Sequence, residues 1–99
     1  MAAPPSSFLA GQPVMRIEEA FVIAGRGLVV TGAVQGSTVR VGDSVVVENS
    51  QGTRTASVSA IEALGRTLTA AEPGTFCGLL LKGVAPAQVG AGDTVSMPR

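Results

Sequence analysis

No histidine, tryptophan or tyrosine occurs in this 99-residue chain, and cysteine occurs once, as Cys77. The missing imidazole removes the usual general base and the commonest zinc ligand together, so Ser-His and Cys-His nucleophilic pairs are excluded. A single cysteine excludes an internal disulfide framework and suits a reducing compartment. Neither Gly-Lys-Ser nor Gly-Lys-Thr is present, which leaves no phosphate-cradling P-loop, and Gly25-Arg26-Gly27 lacks the later glycine of a dinucleotide-binding turn. The seven carboxylates fall nowhere into the dense alternation of a calcium loop. These gaps argue against an enzyme, against a resident metal or cofactor, and against GTP being bound or hydrolysed by this chain alone.

Charge of either sign is also scarce in net terms. Seven basic and seven acidic residues cancel, so no long-range field draws the chain to nucleic acid or to an anionic membrane, and any nucleic-acid contact has to be local. No run of about 18 apolar residues occurs, and the first residues lack the basic start and apolar core of a signal peptide. The expectation is a soluble cytoplasmic protein with no membrane role.

What is abundant is valine, alanine, leucine and glycine. The chain is 45% hydrophobic and 14% charged, which places it with globular domains, and its length suits one core. Valine is stiff at its first side-chain torsion and fits a pleated surface, so the bias favours strands. Residues 1–12, with Pro4, Pro5, serines and Gly11, carry linker chemistry and read as a tail, leaving residues 13–99 as the domain. Residues 14–24 read as one strand, closed by Gly25-Arg26-Gly27, and residues 28–35 as its hairpin partner. Further strands are expected at 38–41, 44–48, 54–64, 75–82 and 94–97, with a short segment at 67–70 and a single helical turn at 85–89. The uninterrupted apolar character of residues 75–82 suggests a strand covered on both sides. Gly42-Asp43-Ser44-Val45 and Gly92-Asp93-Thr94-Val95 echo one another, each placing a turn before a strand. Short strands with turns between them and no ten-residue amphipathic helix predict an all-β fold, and closure into a small barrel removes edges that valine-rich strands would otherwise expose.

Several segments in this order carry a resemblance. They are Ile17-Glu18-Glu19-Ala20-Phe21, Gly25-Arg26-Gly27-Leu28-Val29-Val30-Thr31-Gly32, Val41-Gly42-Asp43, Ile61-Glu62 and Gly78-Leu79-Leu80-Leu81-Lys82-Gly83. From Pro13 to Pro98 the chain resembles the second domain of elongation factor Tu and related translational GTPases. The resemblance implies a closed six-stranded Greek-key β-barrel. In that family the domain forms one wall of the site for the aminoacylated 3′ end of tRNA. The matching positions are Glu18, Glu19, Phe21, Ile23, Gly25, Val29, Glu62 and Leu80, with Arg26 beside them in the turn.

The residue types suit that chemistry. An unpaired base stacks on flat or apolar side chains such as Ile23, Val29 and Leu80, and a carboxylate such as Glu62 accepts a ribose hydroxyl or base amino group. Packing is an alternative at the same positions: Ile23, Val29 and Leu80 also read as core, and Phe21 and Leu81 need nothing beyond packing. Arg26 also serves as a solubilising cation or an ion-pair partner worth under about 1 kcal/mol. If residues 14–24 form one strand, Glu19 shares a face with Met15, Ile17, Phe21 and Ile23, which puts a carboxylate in an apolar stripe at a rim or pocket. Against the family, basic side chains are missing. Ala33, Gln35-Gly36 and Ala85-Pro86 stand where it carries charged residues, and Lys82 replaces an arginine. The surface predicts weak, salt-fragile affinity for tRNA or ribosomal RNA. Two functions therefore compete: a translation-factor-like binding module that contacts the tRNA 3′ end, the ribosome or a GTPase partner, and a protein-interaction or scaffold barrel with no RNA role.

Overall fold

Valine-rich segments punctuated by glycines build ten β-strands in the computed structural model, which describes residues 10–99. They are β1 (Ala10–Arg16), β2 (Glu19–Ile23), β3 (Gly27–Ala33), β4 (Val39–Arg40), β5 (Ser44–Asn49), β6 (Gly52–Ala63), β7 (Arg66–Leu68), β8 (Ala70–Ala71), β9 (Phe76–Lys82) and β10 (Thr94–Pro98). The helical turn expected at 85–89 is a 3-10 turn, Pro86–Gln88, with proline in its first turn. β1 takes in Ala10, Gly11 and Gln12, the last part of the stretch expected as a tail; residues 1–9 lie outside the described residues. The two echoing turns are built alike. Asp43 Oδ2 accepts from the Arg40 amide and Asp93 Oδ2 from the Gly90 amide, both at 2.8 Å, with Gly42 and Gly92 at φ +97 and +91.

The pairing is antiparallel throughout. One sheet runs β1-β10-β5-β6-β9-β3-β2, with β7 on the far end of β6, and a two-stranded sheet joins β4 to β8. β5, β6 and β9 follow one another as neighbours, and β10 returns by a long connection to lie beside β5, which is Greek-key order. The sheet curls until β1 comes back to the end of β3. There the ladder is replaced by one bridge, Met15 to Val34, and a 2.8 Å hydrogen bond from the Gln35 amide to the Val14 carbonyl. Inside lie Val14, Met15, Ile17, Val30, Val45, Val47, Val58, Ile61, Leu79, Leu81 and Val95, drawn from β1, the residue after it, β3, β5, β6, β9 and β10.

The expected single strand at 14–24 is two strands, and the break has consequences. On β1 the register with β3 pairs Met15 with Val34; on β2 it pairs Glu19 with Thr31. Between these pairs the β1–β2 side holds one residue more than β3, so the chain bulges at Ile17 and Glu18. The Ile17 amide turns away to the Asp93 carbonyl, 2.8 Å, while the Glu18 amide returns to the Thr31 carbonyl, 2.7 Å. One extra residue reverses the alternation. Met15 and Ile17 are fully buried, whereas Phe21 is 43% exposed, so the apolar stripe expected to unite Met15, Ile17, Phe21 and Ile23 with Glu19 does not form.

Gly32 lies opposite this bulge, and its missing side chain closes the seam. A Cβ built there would sit 2.5 Å from the Arg16 carbonyl oxygen and 2.8 Å from Met15 Cγ. The first of these is backbone and cannot swing aside. Replacing Gly32 by Ala should therefore force the seam apart at a cost of about 1–3 kcal/mol, lowering the thermal midpoint by roughly 5–20 °C. Gly90→Ala, which meets open space at an ordinary backbone angle, should change it by less than about 0.5 kcal/mol. Cys77 pairs with Gly32 across β3 and β9 and is buried, and burial pushes its thiol up from its ordinary pKa. Its reaction with a disulfide reagent should be slow in the native barrel and faster in Gly32→Ala; equal rates in both proteins would remove the seam as the weak point.

Candidate functional site

Register, rather than proximity in sequence, assembles the expected residues. Across β2, β3, β9 and β6 one row reads Glu19, Thr31, Gly78, Glu62 and the next reads Phe21, Val29, Leu80, Ala60. Residues directly opposite in antiparallel strands share a face. Between these two rows lies the row Ala20, Val30, Leu79, Ile61, of which Val30, Leu79 and Ile61 are fully buried in the core, so the two flanking rows look outward. Six of the nine expected positions thus meet on one outer face: Glu19, Phe21, Val29, Leu80 and Glu62 in the two rows, and Ile23 beside them opposite Gly27.

Val29 and Leu80 are 8% and 9% exposed, yet neither belongs to the core cluster; they are covered from outside the barrel wall. Phe21, at 43%, is not explained by packing as the sequence allowed, and it stands on β2, the last strand of the sheet. β9 is covered on both sides only in its middle. Cys77, Leu79 and Leu81 enter the core and Leu80 is buried on the outer side, while Phe76 on that side is 55% exposed, so the expected strand buried on both faces holds around Leu80 and fails at Phe76.

The turn Gly25-Arg26-Gly27 folds its cation over this face. Arg26 Nη1 donates to Glu62 Oε2 at 2.9 Å, and the Lys82 amine donates to the Arg26 carbonyl. Both side chains of the ion pair are about two-fifths exposed, so the pair contributes under about 1 kcal/mol and weakens with salt. Its effect is geometric: it ties the hairpin turn of β2 and β3 to β6 across β9. Gly25 sits at φ +80 with open space around it and serves the turn, not the face. Glu18 does not join the others. It lies in the bulge, beside Arg16 and Gly92 in a separate depression.

A groove of about 420 Å³ continues from the Glu19 row past Thr31, Gly78 and Glu62 to Ala63, Leu64 and Phe76. Gly78 keeps its floor low, since a Cβ there would press on Val29 Cγ1 at 3.1 Å. The wall is the β6–β7 hairpin, whose Ala63 and Arg66 pair around a two-residue turn, Leu64-Gly65. Leu64 has φ +52 and Gly65 φ +73, the two positive angles of a type I′ turn. Asparagine or glycine normally takes the first of these positions. Here a leucine holds a left-handed conformation and is fully exposed, so its apolar side chain contributes nothing to the core. Leu64, Phe76, Thr31 and Gly78 were missed by sequence reasoning. Only Leu64-Gly65 carried a signal, a hairpin turn with the wrong residue first.

No protein-family model matches the chain. A search of solved structures matches translation elongation factor SelB from Methanococcus maripaludis, in its apo form, with a TM-score of 0.79 and 25% identity over 98% of this chain. The barrel is of the translational-GTPase domain 2 type. The chain spans 20% of the length of the factor it matches. Among the described residues no group of three or more His, Cys, Asp or Glu side chains gathers to hold a metal ion, and no helix is long and apolar enough to cross a membrane.

The strain at Leu64 gives a direct measurement. Leu64→Asn should stabilise the barrel by about 1 kcal/mol, raising the thermal midpoint by roughly 4–8 °C, because asparagine accepts the left-handed turn and no packing is lost. A fall in the midpoint would mean that Leu64 packs where the structure shows it free.

Proposed function

We infer that the chain is a translation-factor-like binding module whose outer β2–β3–β9–β6 face receives the unpaired 3′ end of a tRNA-type acceptor. The observation that carries this is one juxtaposition. An apolar row, Phe21, Val29 and Leu80, lies directly beside a partly exposed carboxylate, Glu62, with an apolar groove leading away from it. A terminal base stacks on Phe21, the exposed member of the row, its ribose hydroxyl donates to Glu62, and the groove takes the group esterified to that ribose. Arg26 holds the carboxylate in place until then, and on binding its guanidinium is free to meet a phosphate. The resemblance to elongation factor Tu and the likeness to the SelB factor support the same reading.

A second reading draws on the exposed apolar side chains of the groove wall and of β2. Phe76, Leu64 and Val22 are exposed at 55%, 100% and 57%, and net charge is zero, which also suits an apolar protein partner such as a GTPase domain. An isotope-labelled titration with an aminoacylated acceptor-stem minihelix at low salt separates the two. Shifts should centre on Phe21, Val29, Glu62 and Leu80. Glu62→Gln should weaken the complex roughly tenfold without changing stability by more than about 0.5 kcal/mol. Unchanged affinity in Glu62→Gln removes the hydroxyl contact; no shifts, with a dimer in light scattering, favours the interaction barrel.

A further inference from the structure

The far end of β6 carries a second polar centre that the outer face does not use. Arg54 pairs with Val47 on β5, and Val47 faces the core, so Arg54 continues the inward row one step beyond Ala56 and its stem caps the barrel at that mouth. Its Nη1 is buried and has no hydrogen-bond partner. Native proteins leave few such groups, and a guanidinium nitrogen is among the costliest to leave unmatched. The only ion pair among the described residues is the one between Arg26 and Glu62, so no carboxylate neutralises Arg54.

Around Arg54 an open cleft of about 500 Å³ lies between the β5–β6 turn, at Ser50 and Gln51, and the loop before β10, at Gln88, Gly90 and Asp93. Its frame is fixed. Asn49 Nδ2 donates both to the Gln88 carbonyl, 2.8 Å, and to Asp93 Oδ2, 2.9 Å, and the Gly90 amide donates to the same carboxylate oxygen, 2.8 Å. These bonds engage Oδ2 of Asp93, the one acidic group of the cleft, with donors from β5 and the loop. The Ala85 amide occupies Gln88 Oε1, 3.1 Å, which leaves the amide nitrogen of Gln88 as its free end. Residues able to donate line the cleft from three segments: Arg54 of β6, Ser50 of the turn and Gln88 of the loop.

We propose that this mouth binds a phosphate group, with Arg54 as its principal ligand. A tetrahedral phosphate presents oxygens toward all three segments at once, whereas a planar carboxylate satisfies the arginine fork alone. The site is separate from the outer face: Glu62 lies eight residues further along β6, up to about 26 Å away.

The experiment is a titration of the isotope-labelled chain with methyl phosphate and, separately, dimethyl phosphate at constant ionic strength. Saturable shifts at the Gln51, Arg54 and Gly90 amides are expected, with Phe21 and Leu80 unmoved. A preference for the monoester identifies a free or terminal phosphate as the natural ligand, and equal binding identifies a nucleic-acid backbone. Arg54→Lys keeps the stem and the charge but loses the fork, and should weaken binding roughly tenfold with an unchanged amide spectrum elsewhere. Arg54→Met should abolish it. Absence of saturation with both esters, or equal affinity in Arg54→Lys, overturns the proposal.

Discussion

The structure depends on a backbone approach that only glycine permits. At Gly32 the chain of β3 comes so close to Arg16 and Met15 that a methyl group would overlap a carbonyl oxygen. Because β1 and β3 meet through one bridge and not through a ladder, this approach holds the curled sheet together where hydrogen bonds are sparse. It also determines what β3 can do on either side. From Leu28 to Ala33 it pairs with β9 and sends Leu28 and Val30 into the core, while on its other edge Gly27 to Thr31 pair with β2 and the residue after the strand, Val34, meets β1. The change of partner divides that edge at Gly32.

The outer face follows from that division. The bulge at Ile17 and Glu18 adds one residue opposite Gly32 and reverses which side chains point inward. Before it, Met15 and Ile17 fill the core beside Val14; after it, Phe21 and Ile23 are turned to the outside. Without the reversal, β2 would carry Phe21 toward the barrel interior and Ala20 out. The face that gathers Phe21, Val29, Leu80 and Glu62 is therefore a product of barrel closure as much as of residue choice.

This explains which parts were legible. β5, β6, β9 and β10 were readable because valine- and leucine-rich runs are set off by positive-φ glycines, as at Gly42, Gly52, Gly83 and Gly92, whereas β7 and β8 were expected only as one short segment. The barrel class followed from them. The resemblance named six residues that the register gathers on one outer face, but the reason for their meeting was not readable. Residues 14–24 contain no glycine or proline, and a bulge leaves no mark when its cause lies on the partner strand. Leu64 and Phe76 were hidden differently. Each looks like core material in sequence, and only the hairpin geometry and the outward register of β9 place them at a surface. Arg54 was invisible because its role depends on facing inward at a mouth, which a lone arginine between threonines does not announce.

Electrostatics sets how such a face can work. Net charge is zero and the single ion pair among the described residues lies within this face, so little long-range potential remains to steer an anionic partner toward it. In the reading proposed above, recognition would then rest on short-range terms: stacking on the exposed Phe21 and hydrogen bonding at Glu62. Those terms act only once the partner is seated, so they lengthen residence more than they speed arrival. A face of this kind works best when something else delivers the partner to it. A strained leucine kept at an exposed turn fits the same logic, since an apolar wall adds contact at the seated stage and its cost in stability is borne by a barrel already closed elsewhere.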